Sequence, residues 1–136
     1  MSLIFYWSSS VSHWLVHGDR ALCEAYGEVK SRPTLHRTKY DFYCTATFLI
    51  KLVSVAGEWK IISFDTIYHK DNIEHLVNSG EIVFRVKYPR ESYRCLAFVV
   101  ETTQGYKVDE NLPGWDRPEE AMLILEQARK WVTDSN

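Results

Sequence analysis

The chain has 136 residues and a mass of 15.9 kDa, the size of one domain, and its 46% hydrophobic and 25% charged residues exclude a disordered or fibrous chain. Sixteen basic against eighteen acidic residues give a net charge of −2, without the basic excess of a nucleic-acid-binding protein. The apolar run at residues 3–7 is far shorter than the roughly 20 residues of a membrane helix, so neither a nucleic acid nor a membrane is expected as a partner.

The first half of the chain reads as β. Residues 11–17 form an apolar run that ends in Gly18-Asp19, a hairpin signal. Residues 20–32 follow, ended by Pro33. Residues 38–53 are the clearest strand. Tyr40, Phe42, Cys44, Ala46, Phe48, Ile50 and Leu52 alternate with Lys39, Asp41, Tyr43, Thr45, Thr47, Leu49 and Lys51, a period of two with one strongly apolar face. Ala56-Gly57 marks the next turn, and residues 58–69 form another strand. Strands joined by tight turns make an antiparallel meander, and long strands twist until one face becomes concave.

The second half, about residues 76–133, reads as mainly helical. Residues 76–88 are ambiguous. Residues 92–104 carry β-branched side chains, yet Pro89 before them and Gly105 after them are helix punctuation, and the segment is read as a helix. Asp116-Arg117-Pro118-Glu119 reads as a helix start with Asp116 as the N-cap. The helix runs from about residue 117 to 133 and places Ala121, Leu125, Ala128 and Val132 on one face, widened by Met122, Ile124 and Trp131. From Asp109 onward seven acidic residues stand against three basic ones, a solvated helical face. Strands followed by helices give an α+β domain with its sheet covered on one side. The three cysteines, Cys23, Cys44 and Cys95, are odd in number and form no CxxC, which reads as reduced core thiols in a cytoplasmic protein.

Three stretches carry a resemblance: SHWLVHGDRALCEAYGEV, YDFYCTATFLIKLVSVAGEWKIISFDTIYHKD, and SYRCLAFVV with the later GYKV and LPGWDRPEEA. Together they resemble a SnoaL-like protein of the nuclear transport factor 2-like superfamily, over about residues 12–131. The resemblance implies a single domain over residues 1–136: a cone of curved antiparallel sheet packed against helices, enclosing a pocket for an apolar small molecule. It also implies a homodimer, and cofactor-free proton transfer beside a carbonyl or hydroxyl, as in polyketide cyclases, scytalone dehydratase and ketosteroid isomerase. Family members place two or three helices before the His-containing strand. This chain begins close to that strand, so those helices are expected to be missing. Phe48 stands where the dehydratase has a polar amide, and Ser31 near the place of a partner His, both of which argue against a dehydratase.

His13 aligns with the cone-facing His and is the expected general acid/base. The expected pocket wall is Leu15, Tyr26, Tyr40, Phe42, Phe48, Ile61 and Phe64, or the opposite faces of the same strands. Asp65 either joins this wall or pairs with Arg20, Arg32 or Lys51. No cofactor and no metal are expected. His13 and His17 form HxxxH, but on a strand they lie about 13 Å apart, too far for one ion. His69, Asp71, Glu74 and His75 read as a polar loop. The chain has no GxSxG, P-loop or GxGxxG motif. Two further readings stand beside the binding domain. One is a non-catalytic dimerisation or protein-interaction module using Tyr43, Leu49, Val53, Ile62 and Tyr68. The other is an incomplete family member.

Overall fold

A computed structural model describes residues 5–35, 37–74 and 87–134. Six strands come first: β1 (Phe5–His17), β2 (Arg20–Ser31), β3 (Thr34–Leu35), β4 (Thr38–Lys39), β5 (Asp41–Val55) and β6 (Glu58–Glu74). A 3-10 turn (Glu91–Tyr93) leads into α1 (Arg94–Gln104), and α2 (Pro118–Thr133) closes the described chain. The fold is α+β. Its main sheet is antiparallel in the order β1-β2-β5-β6, and β3 and β4 form a separate two-stranded ribbon. The ambiguous segment at 76–88 lies almost wholly outside the described residues.

The turn signals act as expected. His17 pairs with Arg20 across Gly18-Asp19, and Val55 pairs with Glu58 across Ala56-Gly57. Ala56 and Gly57 both have positive φ, 53° and 82°, the two-residue turn that matches strand twist. Three boundaries differ from the expectation. β1 begins at Phe5 rather than near residue 11. β6 continues to Glu74, so His69 and Asp71 lie within a strand and not in a loop. The run at 38–53 is interrupted at Tyr40, whose N–H bonds Pro33 O at 3.0 Å, so Thr38–Lys39 pairs locally with β3.

Residues paired across neighbouring strands share a face of the sheet. On one face Leu15, Leu22, Leu49 and Ile67 pack against Ala121, Leu125, Ala128 and Val132 of α2. The expected helical stripe is therefore the buried one, and Ile124 and Trp131 widen it, but Met122 is exposed. Polar contacts fix the helix in place. Arg129 grips Glu24 with two hydrogen bonds of 3.0 and 2.8 Å, and Arg20 donates to Trp131 O at 2.8 Å. On the other face α1 brings Cys95 and Val99 onto Leu35, Phe42 and Cys44. The Tyr93 N-cap of α1 makes no side-chain cap bond. Asp71 of β6 fills that role, accepting the Leu96 N–H at 2.7 Å. The sheet thus carries a helix on each face, rather than on one side only.

To get from α1 to α2 the chain rounds the edge of β6. Tyr68 donates its N–H to Pro113 O at 3.0 Å and accepts the Trp115 N–H at 2.8 Å. Arg90, 5% exposed, holds this passage. It makes a two-pronged bond to Asp116 (2.9 and 2.7 Å) and donates to Glu110 O (2.7 Å), Leu112 O (2.9 Å) and the Tyr93 hydroxyl (3.0 Å). Asp116 is therefore not the N-cap of α2. Its carboxylate is taken by Arg90, and Arg117 occupies the cap position without a side-chain bond.

Arg90→Ala leaves Asp116 enclosed and unpaired, and is expected to cost about 3–5 kcal/mol in chemical denaturation. The Arg90 guanidinium holds the Asp116 carboxyl down to about 2. A depressed carboxylate stabilises the fold above its unfolded value near 4 and loses that contribution as pH falls toward 2. Stability is expected to drop over that window, and Asp116→Asn to flatten the drop while lowering stability at pH 7.

Candidate functional site

Two bulges decide which side chains meet along β6. Thr45 pairs with Lys70 and Ala46 with Tyr68, leaving His69 as the extra residue; Lys51 pairs with Ser63 and Leu52 with Ile61, leaving Ile62. A bulge aims two successive side chains toward one face. His69 stays on the α2 face with Ile67, where its Nε2 lies 2.6 Å from Thr47 Oγ1, and the bulge brings Lys70 to that face as well. Its ring centroid is 5.4 Å from that of Tyr26 and 6.1 Å from that of Trp115. Burial lowers the pKa of this half-buried imidazole, so the neutral ring is favoured. A neutral imidazole between two aromatic rings, anchored at one nitrogen, can accept or donate a proton at the other.

The residues expected to form one wall are divided between the two faces. His13 lies opposite Glu24, and Leu15 opposite Leu22, on the α2 face. Tyr26 and Asp65 share that face, opposite Thr47 and Leu49. Phe42, Phe48, Ile61 and Phe64 lie on the α1 face. Tyr40 lies outside the strands and packs beside Phe42. His13 is exposed on β1, and His69 is the described histidine enclosed among aromatic rings. The sequence carried no sign of this, because the rings that close on His69, Tyr26 and Trp115, lie 43 and 46 residues away along the chain.

The α1 face itself has two halves. Near Phe42, Cys44 and Ile73 it is covered by α1. Toward the two hairpin turns no described element covers it. There Cys23, Ala25, Ala46 and Phe48 form a buried cluster, with Ile50, Leu52 and Tyr68 packed against it. Gly27 contributes by lacking a side chain, since a Cβ there would fall 1.9 Å from the Phe48 ring. Around this floor Trp14 (52%), Val16 (58%), Trp59 (46%), Ile61 (63%) and Phe64 (51%) are open to solvent. The interaction patch expected from sequence was the wrong one. Leu49 is sealed beneath α2, and Tyr68 packs on Tyr93 at 5.2 Å; of that set only Ile62 is exposed. A cleft of about 500 Å³ between the outer edge of β6 and α2 is lined by Lys51, Phe64, Asp65, Thr66 and Gln127 among others.

Other candidates have structural roles. All three cysteines are buried and free. Burial pushes the Cys44 thiol up to about 12 and raises Cys95 and Cys23 as well, the reverse of an activated nucleophile. Asp71 and His69 turn to opposite faces, and burial moves the Asp71 carboxyl up to about 6. Among the described residues no three His, Cys, Asp or Glu side chains gather as a metal site, and no described helix is long and apolar enough to cross a membrane.

The neutral His69 gives a pH signature. Its folded pKa lies below the unfolded value near 6.5, so the stability it contributes is present above 6.5 and is lost as pH falls through the folded value. The ring-proton NMR titration of His69 is expected to have its midpoint below 6.5. His69→Gln should reduce the fall in melting temperature between pH 7 and pH 5. A midpoint at or above 6.5 contradicts the enclosed-ring geometry.

No family model matches the chain and no curated protein matches it, so the reading of its function rests on this geometry.

Proposed function

We propose that this chain is a SnoaL-like binding domain of the nuclear transport factor 2-like kind, which holds an apolar small molecule against the uncovered half of its α1 face. The observation that carries the reading is that half-face. It spans all four long strands and offers Trp14, Trp59, Ile61 and Phe64 around a floor of Phe48, Ile50 and Leu52. Phe48, Ile61 and Phe64 belong to the wall expected from sequence. Exposed apolar area there is roughly 500 Å², at the upper end of what a monomer leaves open without use. Covering about 250 Å² of it returns roughly 6 kcal/mol before the costs of association.

Binding is favoured over turnover at this place. Among the described residues no imidazole or carboxylate lies on the uncovered half, and His13 stands on the opposite face. A cyclase, isomerase or lyase needs such a group within hydrogen-bond reach of the reacting atom. If a proton-transfer step occurs, His69 is the better placed base, and its ligand lies on the α2 face.

A second reading, a protein-interaction module, is favoured by the breadth of the same surface, which approaches the area one partner contributes to a standard interface, about 800 Å².

Native mass spectrometry of the purified chain, with titration by 1-anilinonaphthalene-8-sulfonate, tests both. Saturable one-to-one binding that weakens at least tenfold in Trp14→Glu supports the small-molecule site. Absence of probe binding, with an assembly that Trp14→Glu disrupts, replaces it with the interaction module.

A further inference from the structure

The cleft between β6 and α2 lies on the α2 side of the sheet, away from the half-face that carries the reading above; Phe64 borders both. Its volume of about 500 Å³ is that of a small-molecule site. The cleft changes character along β6. At one end Pro113 bonds the Tyr68 backbone, and Leu112 and Ile124 make the lining apolar. At the other end stands Lys51, the cross-strand partner of Ser63, with Gln127 of α2 near it. Asp65 lies between the two ends.

The two charges of the cleft are unspent. Asp65 pairs with Leu49 across the ladder, so Lys51 and Asp65 are diagonal neighbours on the α2 face, about 7–8 Å apart at the backbone. Neither forms an ion pair with a described residue. The Lys51 ammonium lies over the Trp131 ring, 5.3 Å from its centroid, and the Arg20 guanidinium is 5.0 Å from the same centroid. A cation resting on a ring keeps its N–H donors for another partner. The enclosed Ser63 hydroxyl has no hydrogen-bond partner among the described residues, so it takes none of them. Two cations on one ring repel each other, and an anion beside Lys51 relieves that repulsion.

This arrangement selects by charge. A lone anion meets Lys51 but is repelled by Asp65. A lone amine meets Asp65 but is repelled by Lys51. A molecule with both groups on neighbouring atoms satisfies each side chain, and the apolar end of the cleft takes the rest of it. We propose that this cleft binds a free α-amino acid with a large apolar side chain. Its carboxylate meets Lys51, its ammonium meets Asp65, and its side chain lies against Ile124, Leu112 and Pro113.

Isothermal titration calorimetry on the full chain tests the pairing of charges. L-phenylalanine is compared with phenylpropionate, which lacks the amine, and with phenethylamine, which lacks the carboxylate. Phenylalanine is expected to bind at least tenfold more tightly than either. Lys51→Met keeps the apolar stem on Trp131 and should erase the advantage over phenethylamine alone. Asp65→Asn should erase the advantage over phenylpropionate alone. Circular dichroism shows that each variant is folded. No heat from phenylalanine at millimolar concentration, equal affinity for the three compounds, or preferences that neither variant moves overturns the proposal. So does phenylalanine binding that Trp14→Glu weakens and Lys51→Met does not, which puts the ligand on the α1 half-face.

Discussion

One guanidinium makes the two-faced architecture possible. For helices to lie on both faces of a four-stranded sheet, the chain must pass around an edge, and the peptide groups of that passage need partners once they are enclosed. Arg90 supplies them. Its fork spends two donors on Asp116 and others on the carbonyls of Glu110 and Leu112 and on the Tyr93 hydroxyl. A lysine could not match the planar two-pronged contact. Ser92 lends its hydroxyl to the Asp116 N–H at 2.9 Å. Gly114 is required by closeness: a Cβ there would fall 2.7 Å from Asp116 Oδ1 and 2.9 Å from Ser92 Cβ. The LPGWDRP segment is thus a structural clasp. It delivers Trp115 to the α2 face, where it meets His69, while Tyr93 stays on the other face against Tyr68.

The bulges give the sheet its chemical asymmetry. In an unbroken β6, alternation would place His69 on the same face as Ile67 and turn Lys70 to the other. The extra residue lets both point one way, so that His69 keeps its place beside Thr47 while Asp71 returns to the α1 side to hold the first turn of α1. One inserted residue therefore separates a polar aromatic cluster on one face from a helix cap on the other.

These facts explain what could be read from sequence. The stripe Ala121, Leu125, Ala128, Val132 was legible because a helix with one covered side has a single period. The hairpins at Gly18-Asp19 and Ala56-Gly57 were legible because turn chemistry is local. The role of Asp116 was not, since its partner Arg90 lies 26 residues upstream and a distant bidentate ion pair outcompetes a local cap. The pocket wall was not legible either. β5 carries apolar residues on both faces, so the alternation of Phe42 and Phe48 does not reveal which face is open. The resemblance put His13 and Phe64 in one cavity, whereas the sheet lies between them.

The open half of the α1 face follows from dimensions. β6 has 17 residues and β5 has 15, and at about 3.3 Å per residue each runs some 50 Å or more. A helix covers a band only about 10 Å wide. A single 11-residue helix on the α1 face cannot screen strands of that length. A chain built to remain bare there would alternate polar residues onto the surplus, as exposed faces of antiparallel sheets do. Trp14, Val16, Trp59, Ile61 and Phe64 occupy those positions instead. The surplus strand length is thus coupled to an apolar surface with no described cover, and that coupling makes the half-face the part of the molecule whose composition the described elements do not account for.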